Sequence, residues 1–182
     1  MTENQKKWDS YFLGICKSVS ANATCFSRQI GAILVKDKTV IATGYNGPPR
    51  GVPHCDERHS CDSHLISKLR ETFDEESIQN HELFKGKCPR QILGYKSGCG
   101  LDICIAGHAE KNCIANAARV GGVSVKDSTL YMNTKILSCT PCLISLINAG
   151  VTETVVLEAN YYDEQSKYLY EHSGMKIREF IL

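Results

Sequence analysis

The sequence predicts an α/β sandwich built around one sheet, at least part of it parallel. Three observations carry this reading. Helix-like and strand-like stretches alternate from Gly107 to the end of the chain, as they do when helices pack on a sheet. Two short β-branched runs flank a polar connection near residue 37 and mark a hairpin. The chain has 182 residues, 42% of them hydrophobic, which is enough for a core of its own. A single domain over residues 1–182 is expected.

The elements follow in order. Trp8, Phe12, Ile15, Cys16 and Val19 recur at three- and four-residue spacing, as on one face of a helix. Ile30–Val35 and Thr39–Thr43 are the two arms of the hairpin around Lys36-Asp37-Lys38. Gly44-Tyr45-Asn46-Gly47-Pro48-Pro49 ends it with dense turn chemistry. Residues 56–87 then change character. They are polar and charged, with Asp74-Glu75-Glu76 and only a weak stripe of Leu65, Ile66, Leu69 and Phe73. They read as a partly helical surface insertion whose charges sit in solvent.

Ala109–Val120 is Ala-rich, favours helix and is stopped by Gly121-Gly122. Ser128–Asn133 reads as a strand, and Cys142–Ala149 as a helix closed by Gly150. Thr152–Leu157 is a strand. Asp163–His172 is a helix closed by Ser173-Gly174, and Lys176–Leu182 a last strand. Internal repeats and low-complexity tracts are missing from the sequence.

Composition excludes several classes of function. Lys plus Arg number 21 against 20 Asp plus Glu, a formal net charge of +1. That argues against a protein that grips long nucleic acid through a broad basic field. A small anionic ligand held by local charges remains compatible. The N-terminus, MTENQKKWDS, lacks the apolar stretch of a signal peptide. The apolar run Cys142–Val151 is broken by Ser145 and Asn148 and is too short to span a bilayer. A cytoplasmic chain is therefore expected, or one in the host-cell cytoplasm if its source is viral. In that compartment the ten cysteines read as metal ligands or buried thiols before disulfides.

The sharpest chemical signal is His108-Ala109-Glu110 followed by Cys139-Thr140-Pro141-Cys142. Each half falls where a helix is predicted to start. One His and two Cys supply three tetrahedral ligands and leave a fourth position for water, the pattern of a catalytic zinc rather than a closed structural one. Zinc lowers the pKa of bound water toward neutrality. Glu110, two residues from His108, is placed to move protons between that water and a substrate. Either half alone is a weak signal. In this order and on helix starts, the two together match the signature of zinc deaminases. One departure stands out: Ser138 occupies the position that signature gives to proline.

With these motifs the chain resembles the cytidine deaminase superfamily, and within it the deoxycytidylate deaminases of bacterial and phage type. The resemblance runs through residues 25–35 (CFSRQIGAILV), 44–55 (GYNGPPRGVPHC), 88–100 (CPRQILGYKSGCG), 108–115 (HAEKNCIA) and 138–150. It implies a three-layer α/β/α fold with a five-stranded mixed sheet. It implies hydrolytic deamination of dCMP to dUMP and ammonia, supplying dUMP for thymidylate synthesis. Glu110 would take the water proton, protonate N3 and deliver a proton to the leaving amine. The alternatives are a dCTP or dual dCMP/dCTP deaminase, a polynucleotide cytosine deaminase, or a non-catalytic zinc module.

The resemblance also names further residues. Asn46, on the Gly-rich turn, is a candidate for sugar or nucleotide contact, although an Asn-Gly pair also serves turn geometry alone. Arg28 is a candidate for the 5′-phosphate, with a plain surface arginine as the alternative. Ala109 and Tyr161, or its neighbour Tyr162, complete the implied substrate contacts. Many relatives are hexamers activated by dCTP and inhibited by dTTP, with Mg2+ accompanying the effector. Gly44, Tyr45, Asn46, Gly47 and Arg50 are where such an effector is expected.

Relatives also carry a second, structural zinc. Cys25 and Cys55 match its pattern, and Cys88 and Cys104 are chosen to complete a Cys₄ site. Cys99, Cys61 and His54 are the competitors, and buried free thiols are the alternative. Cys16 and Cys113 fall on predicted apolar helix faces and are expected in the core.

Overall fold

The computed structural model describes residues 2–180. The final strand, expected to run to Leu182, is therefore described only as far as Phe180. The described residues form two compact units. One comprises residues 2–23, 30–46 and 108–180, and the other residues 24–29 and 47–107. Among the described residues, no helix is long and apolar enough to cross a membrane.

The first unit opens with helix α1 (Glu3–Ser20), whose N-cap Thr2 accepts a hydrogen bond from Gln5 N–H. Strands β1 (Gly31–Lys36) and β2 (Thr39–Tyr45) form the expected hairpin. Asp37 and Lys38 turn it with φ of 48° and 59°. Positive φ at both positions is the demand of a type I′ turn, met here without glycine.

In the second unit the chain passes through α2 (Ser63–Leu69), α3 (Glu75–Gln79), α4 (His81–Phe84) and α5 (Pro89–Ile92). Back in the first unit come α6 (Ala109–Val120), β3 (Thr129–Met132), α7 (Thr140–Asn148), β4 (Glu153–Val156), α8 (Glu164–Ser173) and β5 (Lys176–Glu179). The sheet order is β2-β1-β3-β4-β5. β1 runs antiparallel to β2 and β3, while β3, β4 and β5 are mutually parallel. The sheet is thus five-stranded and mixed.

Strand alternation splits the core in two. Ile33, Val35, Tyr131 and Val155 face α1 and pack on Phe12, Leu13 and Cys16. Ala32, Leu34, Leu130, Met132 and Val156 face the other way, onto Ala109, Cys113, Leu143, Leu146 and Tyr170 of α6, α7 and α8. Helices on both faces of one sheet make the three-layer α/β/α arrangement. Cys16 and Cys113 are fully buried, as expected, and donate to the carbonyls of Tyr131 and Ala32.

Two helices sit on glycines. A Cβ on Gly31 would lie 2.1 Å from the Cys16 carbonyl of α1, and one on Gly44 would lie 2.3 Å from the Ala109 carbonyl of α6. Both would meet backbone, which cannot swing aside.

One buried polar group ties the edges of this unit together. Asp9 of α1 has no solvent exposure. It accepts hydrogen bonds from Tyr131 (2.8 Å) and Gln5 (2.9 Å) and pairs with Arg178 of β5. Arg178 also donates to Glu153 (2.9 Å) of β4.

The second unit has a core of its own: Leu65, Leu69, Ile78, Phe84 and Ile103. The predicted insertion at 56–87 falls within this unit, and two residues of its apolar stripe, Leu65 and Leu69, are buried in that core, with Phe73 packed against it. The charges of the insertion are not all solvated. Arg58 is buried and held by Asp62 and by the Ile103 carbonyl (2.9 Å). His59 is buried against Phe84, ring centroids 4.5 Å apart, and its Nδ1 lies 2.8 Å from the Ile78 carbonyl. Gly47 and Gly107 exchange both backbone hydrogen bonds (3.1 and 2.8 Å) and clip the ends of the longer segment.

Removing Arg178 leaves Asp9 buried without its cation. Arg178→Met is expected to lower stability by about 2–4 kcal/mol, toward the lower side of a fully buried pair because Arg178 is partly exposed. Denaturant unfolding checks this, and Asp9→Asn in the same background should recover much of the loss.

Candidate functional site

The site is assembled at the starts of α6 and α7. His108 is the N-cap of α6, and Glu110 lies in its first turn. Cys139 is the N-cap of α7, and Cys142 lies in its first turn. Helix N-termini present unpaired N–H groups and positive partial charge, which favours thiolate and carboxylate there.

What brings α6 to this place is its seat on β2. Gly44 leaves room for the Ala109 carbonyl and the Cys113 N–H, which a Cβ would approach to 2.3 and 2.5 Å. Asn112 and Asn116, one turn apart on α6, donate to the Tyr45 and Thr43 carbonyls (2.7 Å each). β2 is an edge strand, so these amides also satisfy carbonyls that no neighbouring strand can reach. The start of α7 is held from α8. Asp163, the N-cap of α8, accepts from Ser166 N–H (2.6 Å) and from the Thr140 hydroxyl (2.7 Å). Thr140 follows Cys139 directly, so this bond fixes the loop that carries the thiol.

The donor atoms of His108, Cys139 and Cys142 all lie within 4.8 Å of one another. His108 Nδ1 is 3.4 Å from each sulfur. Zinc bonds of about 2.1 Å to nitrogen and about 2.3 Å to sulfur place two tetrahedral donors roughly 3.6 Å apart. The two nitrogen–sulfur separations are therefore close to those of a zinc site, and the three residues fit the ion in number and kind. Both sulfurs are buried while His108 is exposed, so the cluster opens to solvent on the imidazole side.

The three donors share protons with one another. Cys139 is held well below the ordinary thiol range, first by a hydrogen bond from Cys142 and then by His108. The same shared proton raises Cys142. His108 is raised, chiefly by its hydrogen bond with Cys139. A bound metal ion would take the place of these shared protons, since it binds thiolate and neutral imidazole. Glu110 is buried, and desolvation raises its carboxyl above the usual range against the opposing pull of a backbone hydrogen bond and His108.

The structure brings together three of the residues named from sequence, His108, Cys139 and Cys142, and buries Glu110 in the first turn of α6, two residues from His108. Three of the expected substrate contacts lie in the same unit, as do Gly44 and Tyr45 of the expected effector contacts. Asn46 is buried, and its Oδ1 accepts from Ile30 N–H (2.8 Å). Ala109 is buried under the Gly44 seat. Tyr161 is exposed, its ring 6.2 Å from that of Tyr170, and Tyr162 is exposed beside it. Arg28 and Arg50 belong to the second unit, where Arg28 donates to Ser97 Oγ (2.7 Å). Gly44, expected among effector contacts, is buried and serves helix packing. Asp163 was legible only as a helix start; its hold on Thr140 is visible in three dimensions alone.

A family model described as the cytidine and deoxycytidylate deaminase zinc-binding region matches residues 6–158. The chain belongs to this family. The deoxycytidylate deaminase of Saccharomyces cerevisiae is 29% identical over 175 residues, covering 95% of this chain and 45% of that protein. The chain thus spans less than half the length of that relative. The deoxycytidylate deaminase of Mycobacterium phage D29 is 30% identical over 154 residues, covering 82% of this chain and 92% of that protein. A dCMP deaminase from the cyanophage S-TIM5, solved with dCMP and dUMP, superposes with a TM-score of 0.61 at 19% identity, over 98% of each chain. At that identity the likeness is one of fold, and it is the cytidine deaminase-like fold.

The seat of α6 makes a sharp prediction. Gly44→Ala should lower stability by about 1–3 kcal/mol through overpacking against backbone. It should also speed the loss of zinc on dialysis. Wild-type unfolding and wild-type zinc retention would contradict a positioning role for this contact.

Proposed function

We propose that the chain deaminates dCMP hydrolytically, yielding dUMP and ammonia. The observation that carries this reading is one cluster: three metal donors within 4.8 Å, with the Glu110 carboxyl buried beside them. The names of the relatives from yeast and phage D29 support deoxycytidylate as substrate. The near-neutral charge of the chain supports a small nucleotide over a polynucleotide.

His108, Cys139 and Cys142 would hold zinc, which when bound supplies a water acidic enough to be ionised near neutral pH. Glu110 is the proton carrier. It takes a proton from water, gives it to N3 of the cytosine, and afterwards delivers one to the departing amine. Oxygen from water becomes bonded to C4, the C4–N4 bond breaks, and ammonia leaves. Desolvation serves this role, because it raises the carboxyl above its usual range and so makes it a readier proton acceptor. Asn46 and Tyr161 are assigned to nucleotide contact and Arg28 to the 5′-phosphate, on the strength of the family motif.

A second, structural zinc belongs to the same proposal, with Cys25, Cys55, Cys88 and Cys104 as ligands. All four lie in the second unit. Burial pushes the Cys55 thiol up to about 11, with Arg58 opposing and Cys88, Cys25 and Cys104 adding to the rise. Among the described residues only His108, Cys139 and Cys142 bring three donors within 4.8 Å of one another, so these four thiols would have to draw closer to coordinate one ion. The rival cysteines, Cys61 and Cys99, are exposed. Cytoplasmic location fits ten unpaired cysteines. Control by dCTP and dTTP with Mg2+, and assembly into a hexamer, are proposed from the GYNGPPRG resemblance.

Glu110→Gln tests the chemistry. The variant should retain its metal and lose about 10²–10⁴-fold in kcat on dCMP. Undiminished turnover would overturn the role of Glu110. Assays of dCTP, cytidine and single-stranded DNA alongside dCMP decide the substrate, with dCMP expected to dominate. Elemental analysis should give two zinc ions per chain, falling to one in Cys55→Ser; one in the wild type would remove the second site.

A further inference from the structure

The chemistry proposed for Glu110 leaves two buried hydroxyls without a role. Ser138 is 1% exposed and Tyr170 4% exposed. Among the described residues, Ser138 Oγ and Tyr170 OH are buried with no hydrogen bond in formed geometry. Native interiors rarely tolerate such atoms, because an unsatisfied buried hydroxyl forfeits its hydration for nothing. Two of them together, beside a catalytic centre, call for an explanation.

Their surroundings supply one. Ser138 immediately precedes Cys139, whose sulfur is 3.4 Å from His108 Nδ1, and Glu110 lies two residues beyond His108. The Ser138 hydroxyl is near enough to the Glu110 carboxyl to counter part of its desolvation, without a formed hydrogen bond. Tyr170 OH in turn has the Thr154 hydroxyl and the Ser138 hydroxyl and backbone as its near polar neighbours. Thr154, in β4, has no solvent exposure and donates to Met175 Sδ at 3.4 Å. The buried hydroxyls of Ser138, Tyr170 and Thr154 are therefore neighbours of one another, with Ser138 next to Glu110. All four residues belong to the first unit. The zinc-deaminase signature has proline where this chain has Ser138. Proline has neither a hydroxyl nor a backbone N–H, so that grouping cannot form with it.

We propose that Ser138 is a positioning residue for Glu110, with Tyr170 orienting the serine from behind. This rests on the reading that Glu110 carries the proton. Ser138 O–H donates to one carboxylate oxygen and keeps its proton throughout. Tyr170 O–H donates to Ser138 Oγ and so commits the serine proton to Glu110. The carboxylate then presents its other oxygen to water and to N3. Where a proline would hold the loop by stiffness, this chain holds the carboxylate by a hydrogen bond.

The test uses the zinc-loaded protein and four variants, Ser138→Ala, Ser138→Pro, Ser138→Thr and Tyr170→Phe. Isotope-edited infrared spectra of protein carrying ¹³C-carboxyl glutamate give the Glu110 band by difference from Glu110→Gln. The band should move in Ser138→Ala, Ser138→Pro and Tyr170→Phe, and stay in Ser138→Thr, which keeps the hydroxyl. Turnover of dCMP should fall about tenfold in kcat in Ser138→Ala with KM within about twofold, the loss expected for one hydrogen bond to a charged group. The threonine variant should restore kcat. Ser138→Ala combined with Tyr170→Phe should be no slower than Ser138→Ala alone, since both act through one contact. An unmoved band in Ser138→Ala, an unchanged kcat, or additive losses in the double variant would overturn the proposal. Wild-type protein that leaves dCMP intact would refute the activity instead, and the infrared bands would still decide the positioning. Should Ser138→Ala fail to fold, Tyr170→Phe and Ser138→Thr read the same contact.

Discussion

Helix α6 lies on strand β2 so closely that Gly44 has no room for a side chain. Much of the site depends on that contact. It fixes the height of the helix over the sheet, and so the position of His108 and Glu110 at its first turn. Asn112 and Asn116 then lock its rotation by bonding the outer carbonyls of β2. Gly31 does the same for α1 on the opposite face, where a Cβ would meet the Cys16 carbonyl. The two glycines sit on neighbouring strands, Gly44 opposite Ala32 and Gly31 opposite Tyr45. Their side-chain directions alternate, so each face of the hairpin accepts one helix.

The second half of the site is held by polar contacts. Thr140 is bonded to Asp163, so the thiol loop is tied to the start of α8. Cys139, Cys142 and Glu110 are carried by helix N-termini, whose positive ends offset three groups that bear or share negative charge. On the far side of the sheet, Asp9, Tyr131, Arg178 and Glu153 join α1, β3, β4 and β5 in one buried network. Rigid support and a partly desolvated carboxyl thus come from the same scaffold, which is what proton transfer in fixed geometry requires.

Much of this was legible in the residues. The 3.6-residue stripe of Trp8, Phe12 and Val19, and the β-branched run Ile30–Val35, specify elements that the structure contains. The metal donors were legible because their spacing is local: His108 and Glu110 share one turn, Cys139 and Cys142 another. Contacts between segments distant in sequence were not. Gly44 looked like loop chemistry because its neighbour 65 positions later, Ala109, is invisible in the chain order. The core of the second unit was missed for a related reason. Its short helices each offer one or two apolar residues, such as Ile78 or Phe84, and no single stripe reveals that they converge. Arg58 and His59 read as solvated charges because burial of a polar group depends on partners contributed from Ile103 and Ile78.

The central claim is a metal centre with three protein donors and one position left for water, beside a buried carboxyl. X-ray data collected at the zinc edge from crystals of the purified protein test it most directly. An anomalous peak bonded to His108, Cys139 and Cys142 alone, with Glu110 alongside and outside bonding distance, is the expected result. A zinc ion closed by a fourth protein ligand, or no anomalous density between these three residues, would contradict the account.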